Sequence, residues 1–190
     1  MGVERRHDNP SETLRPAITS SGHGDDRTPA ALTIARALDK RLHATLEDPL
    51  HLREARLYGC TVIDGDVLSL DDDQLDAAVR FTFLGDARLV YELIGGSLGI
   101  VARAFDAAVV VTSGWGAPID DFDDPSITPS QHPDRFRILI TTVVCDEGVC
   151  SVMRNSTEPD VVIELPERGM GMLPDALELM WFGEIRDPAA

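Results

Sequence analysis

The sequence predicts an α+β fold: N-terminal helices packed on a mostly antiparallel sheet formed largely by the C-terminal half, with a final C-terminal helix. Three observations predict it. Apolar residues recur at helical spacing before residue 106, Val- and Ile-rich runs of strand length dominate from Ala107 to Leu165, and Pro174-Asp175 opens a last helical pattern. No run of about 18 apolar residues occurs, so no membrane-spanning segment is expected.

Residues 1–28 are rich in Pro, Ser, Gly, Asp and Arg and show no apolar periodicity. Too little surface can be buried there to offset the entropy of ordering. A disordered tail is therefore expected ahead of a single domain over 29–190. Thr28-Pro29 reads as an N-cap followed by proline at the first helical position. Leu32, Ala35, Leu38, Leu42 and Leu46 then predict a helix to about Asp48, and Pro49 stops it. Leu50–Tyr58 reads as a second short helix or a turn of one.

Asp64-Gly65 between β-branched and apolar pairs predicts a two-stranded ribbon over Cys60–Leu70. The carboxylates of Asp71, Asp72 and Asp73 suit a helix N-terminus, with Leu75, Ala78, Val79 and Thr82 on its apolar face. Leu89 to Phe105 carry a wide apolar stripe, read as one long core helix or as two helices broken at Gly95-Gly96. Ala107–Thr112 and Phe136–Val144 are the strongest strand signals. The second is apolar on both alternating faces and belongs near the middle of a sheet. The turn after Cys145 returns the chain as a strand over Val149–Arg154. Val161–Leu165 is expected at an edge because Glu164 interrupts its alternation. Leu177, Met180 and Trp181 share a face of the final helix.

Charge narrows the function classes. The chain has 33 acids and 17 bases, a formal net charge of −16. Such a balance repels nucleic-acid backbones and anionic membrane surfaces, so neither is an expected partner. Residues 64–76 hold six acids and 114–134 hold five, with no base in either. A negative face built from them would suit a basic protein partner. The N-terminal sequence lacks the apolar core of a secretory signal, and three cysteines (Cys60, Cys145 and Cys150) make no disulfide framework. A cytoplasmic location with free thiols is expected, although a Cys145–Cys150 pair would face across a Glu147-Gly148 turn.

The segment Ser113–Arg135, which joins two core strands, is the most site-like stretch. Connections this long are uncommon and often bind ligands. It carries Trp115 as a pocket floor, the carboxylates Asp120, Asp121, Asp123 and Asp124 as binding groups, and Ser113, His132 and Arg135 as candidate catalytic residues. The spacing of the four aspartates matches no cation-binding loop, so no metal is expected. Ser113 stands in Thr-Ser-Gly-Trp rather than a nucleophile elbow, and the single lysine, Lys40, excludes a phosphate-binding P-loop. No cofactor is implied. With no complete catalytic set, the reading is a non-catalytic regulatory or protein-interaction module. The alternative is a small hydrolase-like enzyme with its site at 114–135.

Overall fold

The computed structural model describes residues 30–63, 72–118, 128–167 and 172–185. Along the chain come α1 (Ala30–Thr45), a 3₁₀ turn (Pro49–His51), β1 (Ala55–Val62), α2 (Asp72–Ala78) and β2 (Val79–Ala87). Then follow α3 (Val90–Gly95), α4 (Ser97–Ala102), β3 (Ala107–Gly116), β4 (Phe136–Cys145), β5 (Gly148–Asn155), β6 (Ile163–Leu165) and α5 (Met172–Phe182). The strands form one sheet of six in the order β2-β1-β3-β4-β5-β6, antiparallel at every pairing.

Helices cover the sheet on both sides, which explains the doubly apolar strands. Successive residues point to opposite faces. Val109, Val111, Leu139 and Val143 therefore join Leu32, Ile34, Leu38 and Leu42 of α1 in one cluster. Ala108, Val110 and Val144 join Leu93 and Ile94 of α3, Ala102 of α4, and Leu177 and Trp181 of α5 in the other. Each fully buried Val or Leu contributes roughly 1.5–3 kcal/mol of transfer free energy, so the central strands β3 and β4 dominate the stability. Thr45 ends α1 with its hydroxyl on the Arg41 carbonyl, three residues short of the expected stop.

The N-terminal half departs from expectation in three places, and each departure is a long-range pairing. Beyond the 3₁₀ turn, Ala55–Tyr58 is strand rather than helix, because β1 is wedged between β2 and β3 with Leu57 and Tyr58 buried. The Cys60–Leu70 ribbon is not the pairing that β1 makes. Cys60–Val62 pair with Val79–Phe81 of β2, while residues 64–71, with the expected turn, lie outside the described residues. The helix expected through Thr82 stops at Ala78. Val79-Arg-Phe-Thr-Phe is β-branched and aromatic, and the open edge of β1 captures it. A register shift opposite Leu57/Tyr58 leaves Leu84 as the extra residue of a bulge.

In the second half, the apolar stripe splits at Gly95–Gly96 into α3 and α4, β4 lies centrally, and β6 is an edge strand. The β4–β5 hairpin turns through Asp146-Glu147, with Cys145 opposite Gly148 and Cys150 opposite Val143. Cys145 and Cys150 are thus diagonal rather than facing. All three cysteines are free and buried. Among the described residues no helix is long and apolar enough to cross a membrane. The expected tail, residues 1–28, lies outside the described residues.

Candidate functional site

Strand direction brings the site candidates to one end of the sheet. The starts of β1 and β4 and the ends of β2 and β3 lie there together, since neighbours run antiparallel. β3 runs on to Gly116, so Ser113 and Trp115 are strand residues and not loop residues. They lie on the face that α1 covers further along. Trp115 is paired directly across from Arg137, and Ser113 across from Leu139. Helix α1 ends before it reaches them, and the 3₁₀ turn and its Leu52–Glu54 continuation take its place.

Trp115 is 39% exposed, an unusual position for the largest side chain of a central strand. Two guanidiniums explain how it is held. Arg137 lies 4.7 Å and Arg135 5.0 Å from the indole ring, within the range of cation–π attraction. Gly116 allows the close approach beside it: a Cβ there would stand 2.6 Å from the Phe136 ring.

His132 is buried, and its Nδ1 accepts the Asp134 backbone N–H at 3.1 Å. Its carbonyl accepts both the backbone N–H and Nη1 of Arg135, each at 3.3 Å. His132 therefore positions Arg135, and Arg135 covers Trp115. These three candidates do come together. Ser113 stands apart from them in function: its hydroxyl donates to the Leu52 carbonyl at 2.8 Å, which pins the 3₁₀ connection against β3. Asp120, Asp121, Asp123 and Asp124 lie outside the described residues.

Between that connection and the sheet end opens a cleft of about 610 Å³, lined by His51, Leu52, Arg53, Glu54, Arg88, Ser113 and Arg137. Its cations are unexpected in so acidic a chain. Sequence reasoning missed Arg53, Arg88 and Arg137 because they lie in three separate segments, and only the strand order makes them neighbours. The available signal was the strand pairing: Arg137 faces Trp115 as soon as the β3–β4 register is known. A neighbouring cleft of about 270 Å³ has the opposite balance, with Glu47, Asp48, Glu54 and Asp86 against Arg53 and Arg56. On the other face of the sheet, Tyr91, Ile94, Gly99, Ile100, Leu179 and Met180 line an apolar groove of about 360 Å³.

The remaining titratable groups in the core serve the fold. Burial pushes the thiols of Cys60 and Cys145 up to about 12 and that of Cys150 up to about 11, so none is a nucleophile at neutral pH. Among the described residues no group of three or more His, Cys, Asp or Glu is placed to hold a metal ion. No protein-family model, no curated protein and no solved structure matches the chain. The site has to be read from its own chemistry.

Proposed function

We propose that the chain is a non-catalytic interaction module that engages its partner through the Trp115 end of the sheet. One observation carries the reading: a partly exposed tryptophan, clamped by Arg135 and Arg137, stands beside an open cleft. Tryptophan and arginine are the residues that most often dominate binding energy at protein contacts. The candidate catalytic groups Ser113 and His132 are already engaged. Ser113 donates to Leu52, and Nδ1 of His132 takes up the Asp134 N–H. A hydrolase at this end would require Ser113 to abandon the Leu52 carbonyl for a base, so the binding reading is preferred.

The partner has to match two signs of charge. A chain of net charge −16 attracts a basic surface at long range, whereas the group entering the cleft itself meets arginines and must be acidic. The buried free thiols support a reducing, cytoplasmic setting for this contact.

The test is site-specific photo-crosslinking of the full chain. A crosslinking side chain at Gln131, exposed and next to His132, is compared with one at Leu179 in the groove across the sheet. The expected result is a discrete adduct from position 131 that disappears with Trp115→Ala. Identical adducts from both positions, or adducts indifferent to Trp115→Ala, would reject the reading.

A further inference from the structure

What enters the cleft can be argued from the arginines that line it, taking the contact surface proposed above as given. With 33 acids against 17 bases, carboxylates are plentiful for any guanidinium within reach of one. Arg36 reaches Glu164 at 3.2 Å, and Arg154 reaches Asp39 at 2.7 Å. Arg53, Arg88 and Arg137, which line the cleft, have no such partner: no hydrogen bond or ion pair of their guanidiniums occurs among the described residues. Glu54 is the sole carboxylate among the described residues lining the cleft.

Arg137 is the sharpest case. Its Nε is buried and has no hydrogen-bond partner among the described residues. A buried donor without a partner costs about 1–3 kcal/mol, more when it is charged. Stacking against Trp115 occupies the face of the guanidinium and leaves its in-plane N–H donors available at the edge. The wall opposite is preformed, because Ser113 fastens Leu52 to β3 and so fixes the base of Arg53. A site built before its ligand arrives loses less entropy on binding.

We propose that this cleft is a receptor for the phosphoryl group of a small phosphorylated molecule, held by Arg53, Arg88 and Arg137. Three planar forks suit a compact dianion with several acceptor oxygens better than a single carboxylate, which one fork already saturates. The size fits as well: about 610 Å³ is far larger than a bare phosphate and lies within the range that encloses a whole small ligand. A phosphate polymer is disfavoured because the surrounding charge of −16 repels an extended chain of anions. A small dianion meets the repulsion once and then contacts only the local cations.

Isothermal titration of the full chain tests this with inorganic pyrophosphate, with citrate as a carboxylate of comparable charge, and with a phosphoserine peptide. Pyrophosphate is expected to bind at one site and to be weakened by roughly tenfold or more in Arg53→Ala/Arg88→Ala and in Arg137→Ala. Arg103→Ala, across the sheet, is expected to bind it as the parent does. Absence of saturation at about 10 mM pyrophosphate, well beyond the weakest useful affinities, would overturn the proposal. So would citrate binding as tightly, affinity unchanged in Arg53→Ala/Arg88→Ala, or a phosphopeptide preferred over the small anion. If Arg137→Ala unfolds, the double variant decides, since Arg53 and Arg88 are exposed. A position-131 adduct that survives Arg53→Ala/Arg88→Ala while pyrophosphate binding is absent would retain the contact surface and reject the phosphoryl group.

Discussion

Under α1 lies an ion pair whose removal should separate the cost of burying charge from the cost of breaking a contact. Arg154 Nε donates to Asp39 Oδ2 at 2.7 Å, with the two side chains 9% and 2% exposed. A second arginine donor reaches the Pro159 carbonyl at 2.8 Å, while Asp39 Oδ1 has no partner among the described residues. Asp39→Ala leaves a guanidinium buried and unpaired, which costs about 3–5 kcal/mol. Asp39→Leu with Arg154→Met removes both charges and is expected to lie between neutral and about 4 kcal/mol more stable than the parent. With a urea m-value of about 2 kcal/mol/M, Asp39→Ala should lower the unfolding midpoint by roughly 2 M. The same desolvation is visible to protons. Burial raises Asp39 above the ordinary 3.8 despite the opposing charge and hydrogen bond of Arg154. A raised carboxyl contributes stability that is fully present below 3.8 and lost as pH rises through the folded value. The parent should therefore gain on Asp39→Asn as pH falls through that window. Urea unfolding followed by far-ultraviolet circular dichroism measures all of this. A cost for Asp39→Ala below about 1 kcal/mol, or a double variant as unstable as the single one, would refute the reasoning.

Three further outcomes follow from the packing. Cys60 and Cys145, lifted by burial from 9.0 to about 12, keep their protons in the folded chain where the unfolded chain has lost them. Stability should fall as pH rises above 9.0, by about 1.4 kcal/mol per unit for each thiol, and Cys60→Ala should flatten the slope of urea midpoints from pH 8 to pH 10. Gly99→Ala would set a Cβ 2.0 Å from the Ile94 carbonyl oxygen, and a backbone atom cannot turn aside. It should cost about 1–3 kcal/mol in a thermal melt, whereas Gly95→Ala, with nothing within 4 Å, should be neutral or gain up to about 1 kcal/mol. Ser113→Ala frees the Leu52 carbonyl; a loss of about 1 kcal/mol and faster amide exchange confined to 51–54 are expected.

The parts of the fold that were legible are those whose burial is written locally. β4 announces its central place because both alternating faces, Ile138-Ile140-Thr142-Val144 and Leu139-Thr141-Val143, are apolar or β-branched, and Val144 on one face and Leu139 and Val143 on the other pack in the two helix-covered clusters. Of the two readings of the Leu89–Phe105 stripe, one long helix or a break at Gly95-Gly96, the structure takes the break. Close packing of a helix on the sheet is the expectation for the glycine cluster; Gly99 instead meets the Ile94 carbonyl of α3 and Met180 of α5, and Gly95 has nothing within 4 Å. β1 and β2 were not legible, because Ala55–Tyr58 and Val79–Thr82 are short and carry Arg56 and Arg80 among their apolar residues. Their strand character comes from partners seventeen or more residues away. The Cys145–Cys150 facing geometry failed by turn register alone: the chain turns at Asp146-Glu147, not at Glu147-Gly148.

The site shows the same division between local and long-range information. Trp115 and Arg135 could be picked out of the long connection, and their contact through His132 follows from residues close in sequence. The charge argument pointed elsewhere. A count of acids directs attention to Asp120–Asp124, yet the arrangement that asks for a ligand is an island of positive charge, which a negative total conceals. Only the sheet order β2-β1-β3-β4 carries Arg88 from the end of β2, Arg53 from before β1 and Arg137 from β4 to one cleft. Self-repulsion among the acids gives every cation in this chain a reason to find a carboxylate. Three that line one cleft with no ion pair among the described residues are the observation on which the proposed anion site rests.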